Sequence, residues 1–400
     1  MMNIPFKKRY CFAALICVAM SPAMAAEEQA GVIQTASGVD FIPYLTTGYR
    51  YDDNIASTKT FKTDSWILGV TPGLQGQLLD GNSEYLFETG IDYGSFSSGS
   101  DDNYLDFNLS GSADVELNQS NSFNVNAAYN MGHEERGSGV FEGAGDAQDE
   151  PATFDTYNVG GYYEYGAKST PARIQVNANY FDKEFTNFEA LTLYRNYTDT
   201  DFGATFFYDS GASVSWVFDT SVITTNYDNV DPTGDRDSTN TNYRVGVDWE
   251  ATASTSGSIR VGNQEKDFDN SARKDFSGLS WDASVTWSPL TYSAFTFSSG
   301  NSAKDPSSDG DYIEATTYGV SWNHGWSDFL STNVAYNQTD EDYVGVDRND
   351  KLKVYSLSAS YIASRWCTLV AGVDITESSS SDATYGFDRN VYYINAQMTL

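Results

Sequence analysis

Residues 105–117 read Leu-Asp-Phe-Asn-Leu-Ser-Gly-Ser-Ala-Asp-Val-Glu-Leu. Apart from Gly111, the odd positions are apolar and the even positions are polar. Successive side chains of a β-strand point to opposite faces, so a period of two indicates a strand with one apolar face and one hydrated face. This stretch therefore predicts a strand that lies between an apolar and an aqueous environment.

The same alternation continues to the end of the chain. Further examples are residues 123–130, 174–180, 243–250, 279–287, 355–361 and 392–400. Counting such rows predicts about 18 strands between Asp40 and Leu400, or 16 if two short rows belong to loops. No change in composition marks a second domain within this region.

A soluble sandwich and a transmembrane barrel both alternate, but three features favour the barrel. The rows are about 10 to 14 residues long, which suits a tilted strand crossing ~30 Å of hydrocarbon, whereas sandwich strands commonly have about 5 to 6 residues. Short polar turns, such as residues 288–290, alternate with longer acidic stretches, such as residues 340–350 and 376–384. Aromatic residues stand near the ends of the apolar rows, as interfacial girdles require: Tyr49, Tyr51, Trp66, Tyr85, Tyr93, Trp281, Trp287 and Tyr392. We predict an all-β, antiparallel up-and-down barrel in the outer membrane of a Gram-negative bacterium.

Composition excludes several other classes of protein. The chain has 55 Asp and Glu against 23 Lys and Arg, a formal charge of −32, which would repel nucleic acid. Two His and three Cys are too few for a conventional zinc or redox site. An aromatic content of 15% argues against a disordered acidic chain. We therefore expect neither a cofactor nor a bound metal, and no nucleic-acid partner.

The N-terminus predicts an exported protein. Residues 1–25 resemble a secretory signal peptide, with Lys7, Lys8 and Arg9 before a short apolar run and Ala23 and Ala25 at the cleavage positions. We expect residues 26–39 to form a short periplasmic segment and residues 40–400 to form the barrel. After cleavage, Cys367 would remain without a disulfide partner.

The alternation also assigns polar residues to the interior of the barrel. A barrel of 16 to 18 strands is wide enough for an aqueous channel unless loops fill it. Asn, Ser, Thr, Gln, Gly and Asp dominate the inward positions, which suits a hydrated polymer such as polysaccharide but is equally typical of any water-filled lumen. The candidate lumen-lining residues are Asp106, Asn108, Asn124, Asn126, Asn177, Arg244, Asp248, Arg260, Asp282 and Asn395.

The loops and histidines give weak functional signals. Oxygen clusters can bind calcium, but no acidic run here has the spacing of the twelve-residue calcium loop, so solvated charge is the simpler interpretation. We expect the longest loop, residues 137–152, to be exposed, although it could fold into the lumen. His133 is expected at the membrane interface, and no arrangement of Ser, His and acid suggests catalysis. We predict that the protein is not an enzyme.

One pair of motifs resembles a known family. Gly48-Tyr49-Arg50-Tyr51-Asp52-Asp53-Asn54-Ile55 leads to Asp64-Ser65, and Val70-Thr71-Pro72-Gly73-Leu74 follows. This is similar to the opening of the outer-membrane β-barrel porin family found in bacterial exopolysaccharide gene clusters. The motifs cover about 30 residues.

We expect the motif residues Tyr51, Asp52, Asp53, Asn54, Pro72 and Gly73 to be structural. Asp52, Asp53 and Asn54 favour a turn at the membrane boundary. Pro72 has no N–H, which predicts a bulge or a local gap in the strand ladder. Leu400 departs from the terminal Phe that is usual in outer-membrane barrels.

The resemblance implies a passive conduit for exopolysaccharide of a capsule or biofilm matrix, working with a periplasmic polysaccharide export protein. From the residues themselves, two other functions stay open. One is a general or substrate-specific uptake porin, and the other is a surface barrel with a blocked lumen. Gene neighbourhood would separate the first two functions, and bilayer conductance would identify the third.

Overall fold

The computed structural model describes residues 31–211, 213–252 and 254–399. The predicted signal peptide lies outside this part of the chain. A single sheet contains nineteen strands. Their bounds are β1 Ile33–Gln34, β2 Val39–Asp52, β3 Ser65–Asp80, β4 Ser83–Phe96, β5 Tyr104–Asn118, β6 Asn121–Glu134, β7 Ala152–Tyr165, β8 Ala172–Phe185, β9 Tyr197–Asp209, β10 Val214–Tyr227, β11 Ser238–Thr252, β12 Thr255–Phe268, β13 Phe276–Leu290, β14 Ser293–Lys304, β15 Tyr312–Gly325, β16 Leu330–Val344, β17 Arg348–Ser364, β18 Cys367–Ser380 and β19 Phe387–Thr399.

The sheet closes on itself. Each strand from β2 to β19 pairs antiparallel with its neighbour in sequence, and β19 pairs with β2 from Val391↔Asp52 to Thr399↔Tyr44. The two-residue strand β1 adds only a short pairing to β2, between Ile33 and Phe41. The predicted barrel of eighteen strands is therefore confirmed.

The two ends of the barrel differ in their connections. At one end the strands are joined by short turns, such as residues 81–82, where Gly81 has the positive φ of 60° that tight hairpins need. At the other end longer loops occur, including residues 53–64, 135–151, 186–196 and 228–237. We call these the short-turn end and the long-loop end. Small helical turns at Ser100–Asp102, Gly139–Phe141 and Glu189–Thr192 all lie in long loops. No helix among the described residues is long and apolar enough to cross a membrane.

Some boundaries differ from the sequence prediction. The turn expected at residues 288–290 lies at residues 291–292, because β13 continues through Leu290 and β14 begins at Ser293. The acidic stretches 340–350 and 376–384 are largely strand, and only residues 345–347 and 381–386 connect the strands. These strands extend past the apolar belt, where both faces meet water and alternation no longer marks them.

Apolar side chains cover the outer surface of the barrel. Leu105, Val125, Val159, Phe202 and Ile394 are among the large apolar residues that are exposed. Near the short-turn end the rings of Trp287, Phe295 and Trp322 stack in a row, with centroids 5.4 and 5.9 Å apart. Exposed apolar side chains between aromatic rows are the surface that lipid covers in an outer-membrane barrel.

Candidate functional site: the barrel lumen and its mouth

The predicted lumen residues lie on the strand faces opposite the exposed apolar side chains. On β5, Leu105 and Leu109 are exposed on the outer surface, so the intervening Asp106 and Asn108 belong to the opposite face. Residues paired across neighbouring strands share a face, so Asn124 on β6 lies on the same face as its partner Asp114 on β5. The same alternation places the remaining predicted residues inward: Asn124, Asn126, Asn177, Arg244, Asp248, Arg260, Asp282 and Asn395.

Two predicted arginines meet at an aspartate that sequence reasoning missed. Arg244 Nε donates to Asp219 at 2.9 Å, and Arg260 Nε lies 3.5 Å from the same carboxylate. Arg260 also contacts Asp248 at 2.8 Å and is paired with Asp282 in the β12–β13 ladder. Because these cations are matched by carboxylates, this sector adds little net charge. The alternation of β10 assigns Asp219 to the same face as the arginines. It does not give the register of β10 against β11, which brings Asp219 opposite Arg244.

A second sector, on β4, carries three carboxylates that accept hydrogen bonds from neutral donors. Glu88 accepts from the Tyr44 hydroxyl at 3.3 Å, and Asp92 accepts from the Thr71 hydroxyl at 2.7 Å. Further pairs of this kind are Asp92 with Tyr104 and Glu84 with Gln77. Hydroxyl and amide donors leave the carboxylate charge in place. We call Glu84, Glu88 and Asp92 the acidic wall.

Tyrosines on the inner face lie against glycines of β3 and β4. A Cβ on Gly73 would sit 2.1 Å from Tyr44 Cζ, and one on Gly94 would sit 2.1 Å from Tyr104 Cε1. Gly73 of the family motif therefore makes room for an inward ring. Its neighbour Pro72 has the outward parity, and the β3–β4 ladder has no pairs between Val70 and Gly73. A residue without an N–H accounts for that gap.

The Asp-Asp-Asn part of the motif joins the first long strand to the last. Asp52 Oδ2 accepts from Arg389 Nε at 2.9 Å, while its other oxygen accepts from the Asn54 N–H at 2.9 Å, as a local turn requires. Asp53 bonds both the N–H and the side-chain amide of Asn390, at 2.7 and 2.6 Å. Asn54 Nδ2 donates to the Asp388 carbonyl at 2.8 Å. The turn prediction did not include these bonds, which join β2 to β19 at the seam where the barrel closes. Tyr51 takes no part in them, because its hydroxyl donates to Asp64 at 3.1 Å and its ring packs on Trp66.

Residues 135–151 cross the mouth at the long-loop end, and we call them the crossing loop. Near the start of the loop, Glu135 accepts a hydrogen bond from Arg389 Nη1 at 2.6 Å. Arg136 donates to both carboxylate oxygens of Asp102, at 2.5 and 2.6 Å. His133, just before the loop, bonds Asp106 at 3.0 Å. This places His133 among inward residues, not at the membrane interface as expected. These contacts fix the root of the crossing loop.

The middle of the crossing loop packs on the nearby wall. Phe141 is 1% exposed and clusters with Ala152 and Phe185, and its ring lies 4.9 Å edge-on from Phe188. The Val140 N–H donates to Glu134 at 2.9 Å. The expectation that this loop is exposed holds only in part, because Phe141 is buried while residues 144, 146 and 147 are exposed. Phe141 is its large apolar side chain, and burying that ring offsets the cost of ordering a Gly-rich segment.

The next residue reaches the far wall. Glu142 Oε1 lies 2.5 Å from Arg348 Nη2 at the start of β17, and the Ser308 hydroxyl is 3.4 Å from its other oxygen. On the shorter way round the sheet, β5, β4, β3, β2, β19 and β18 lie between β6 and β17. Arg348 is held between the rings of Tyr343 and Tyr385, at 4.1 and 3.4 Å. The crossing loop thus spans the mouth from wall to wall.

Three arginines bind the loops on the other side of the mouth to one another. Arg195 donates to the carbonyls of Ser307 and Ser308, at 3.0 and 2.9 Å. Arg236 donates to the Pro306 carbonyl at 2.9 Å, and Arg273 donates to carbonyls of residues 234, 235 and 310. A cavity of about 220 Å³ lies among these loops. Among the described residues, no group of three or more His, Cys, Asp or Glu side chains is placed to hold a metal ion.

The carboxylates at the root and at the tip of the crossing loop have pKa values shifted in opposite directions. Burial would raise the pKa of Glu135, but Arg389 and Arg50 outweigh it and hold that pKa at about 2. Burial raises the pKa of Glu142 above its ordinary value despite Arg348. The root carboxylate therefore stays charged over the range where the tip carboxylate begins to titrate.

Comparison with solved structures gives distant likenesses. OccK2 (OpdF) of Pseudomonas aeruginosa is 9% identical with a TM-score of 0.53, over 90% of this chain and 98% of that chain. OpdL of the same species is 12% identical with a TM-score of 0.49, over 91% and 99%. The FrpB iron transporter of Neisseria meningitidis (F3-3 variant) is 12% identical with a TM-score of 0.47; the match covers 84% of this chain and only 62% of that protein. The likeness to OccK2 is one of fold alone.

A search of curated protein sequences finds no match. A family model, in contrast, matches residues 40–400 and so includes nearly all of the barrel. Closed topology, lipid-facing surface and family together identify a porin-like channel of the Gram-negative outer membrane. The chain belongs to the family described as "Putative beta-barrel porin 2".

Proposed function

We propose that this barrel is a passive channel for hydrated solutes that favours cations over anions. The acidic wall is the observation that carries the proposal. Its carboxylates accept from the neutral donors Tyr44, Thr71, Tyr104 and Gln77, whereas the arginines on β11 and β12 are matched by Asp219 and Asp248. One-signed charge on a low-dielectric wall focuses potential into the lumen and enriches counter-ions there.

Reversal potential in a planar bilayer tests this selectivity. Under a potassium chloride gradient, we expect the wild-type channel to pass mainly cations. The triple variant E84Q/E88Q/D92N should shift the reversal potential towards zero, because the amides keep shape and hydrogen bonding but remove charge. D340N is a matched control, since Asp340 pairs with Lys351 on strands outside the acidic wall. Anion preference, or a triple variant identical to wild type, would contradict the proposal.

Export of exopolysaccharide is the second candidate function, and the inward tyrosines favour it. Rings such as Tyr44 and Tyr393, which lie against Gly73 and Gly372, are surfaces on which sugar rings can stack. The motif resemblance adds a polysaccharide cargo and a periplasmic export protein as partner. Deletion of the gene separates the two directions of transport. Loss of secreted matrix with unchanged solute uptake supports export, and the reverse result supports an uptake porin.

A further inference from the structure

We propose that the crossing loop is a movable lid, and that the contact between Glu142 and Arg348 is the clasp that holds it across the channel. The inference rests on the proposed function, because a lid matters only where solutes pass. It assigns gating to two residues that lie 206 positions apart in the sequence.

The attachments of the loop are uneven. Its root is held by several buried or half-buried contacts, including Arg136 with Asp102 and Arg389 with Glu135. Phe141 then fixes the middle to the near wall through an apolar cluster. Beyond Phe141, the far wall is reached through Glu142, with Arg348 and Ser308 as its polar partners and Tyr385 beside Gly143. After the tip, Gly145 packs on Ala56 and Gly137, and the Gln148 carbonyl accepts from Arg136, so release of the Glu142 contact would free residues 142–144 from the far wall while both ends of the loop stay in place.

The far-wall socket persists when the tip leaves. Arg348 also donates to Asp350 on its own strand, with Nε at 2.8 Å, and keeps Tyr343 and Tyr385 on either side. Glu142 can therefore depart without leaving a buried cation uncompensated, which is the usual penalty for breaking a buried pair. Breaking the contact between Glu142 and Arg348 therefore costs little free energy, and Arg348 stays in place to bind Glu142 again. A reversible clasp needs both properties.

The backbone of the loop can accommodate such a movement. Gly137, Gly139 and Gly143 have φ values of 76°, 55° and 75°, and they flank Phe141 on both sides. Glycine adopts this region readily, so these positions can change conformation with little strain. Gly143, next to the clasp residue, is placed to act as the hinge of the tip.

Charge reversal tests the clasp. The full-length barrel is studied in bilayers as E142K, as R348E and as the double variant E142K/R348E. Each single change sets like charges against each other and should lower the closed-to-open ratio about tenfold, which corresponds to about 1.4 kcal/mol. In the double variant, the introduced lysine faces the introduced glutamate and Asp350, and closure should return. K353E is the matched control, since Lys353 pairs with Glu377 on neighbouring strands.

Lid position is read independently of conductance. Spin labels at Ala144 and Asp347, both exposed positions, report the tip-to-wall distance in a C367S background. We expect the distance to lengthen in each single variant and to shorten again in the double variant. Unchanged distances and conductance in a conducting barrel would overturn the lid and leave the channel standing. If wild type, both single variants and a barrel lacking residues 139–147 are all silent, the channel itself is refuted, and the lid with it.

Discussion

Replacing Asp52 by alanine is predicted to weaken the seam between the first and last long strands. The Asp52 side chain is fully buried and that of Arg389 is 17% exposed. One carboxylate oxygen of Asp52 accepts a hydrogen bond from Arg389, and the other accepts one from the Asn54 N–H. Removing one partner of a buried pair typically costs about 3 to 5 kcal/mol. Because Arg389 keeps Glu135, we expect a loss near the lower end, about 3 kcal/mol.

The assay is reversible unfolding by urea in detergent micelles, followed by the difference in gel mobility between folded and unfolded barrel. E377Q is the control, since the Lys353–Glu377 pair is 3.8 Å apart and largely exposed, and such pairs are worth about 0 to 1 kcal/mol. The reasoning about the seam is refuted if D52A and E377Q unfold at the same urea concentration.

Three further outcomes are expected. Gly73→Ala should push the Tyr44 ring off the wall and cost about 1 to 3 kcal/mol as overpacking, measured by the same urea assay; an unchanged midpoint would contradict the ring placement. Phe141→Ala should remove about 3 to 5 kcal/mol of packing between the crossing loop and the barrel. Added protease should then cleave the loop faster than in the wild type, and an unchanged cleavage rate would contradict this role of Phe141. Glu142→Gln should weaken the clasp, because the neutral amide can still bond Arg348 but loses the ion pair; the open fraction in bilayers should rise, and an unchanged open fraction would count against the clasp.

The strands and their faces follow directly from sequence, because alternation records which side of each strand meets lipid. The inward placement of Asn126 and Arg244 needed nothing more than a period of two. Extension of β16 to Val344 was missed, since alternation loses its meaning where both faces are wet.

Contacts that depend on register or on chain closure were not predictable in this way. Asp52 and Arg389 are 337 residues apart and meet only because the barrel closes. Asp219 receives two arginines through the exact pairing of three strands, which periodicity does not fix. The burial of Phe141 in the crossing loop was missed, although one Phe in a Gly- and Asp-rich segment was the available signal.

The most direct test concerns the water-filled interior itself. In a C367S background, cysteine is placed at Asn126 or at its neighbour Val125, which lie on opposite faces of β6. Intact cells are then treated with a small, charged thiol reagent that does not cross lipid. We predict that the cysteine at Asn126 reacts and that the one at Val125 does not. Reaction at Val125 with Asn126 protected, or protection of both, would mean that the inner face is not an aqueous path.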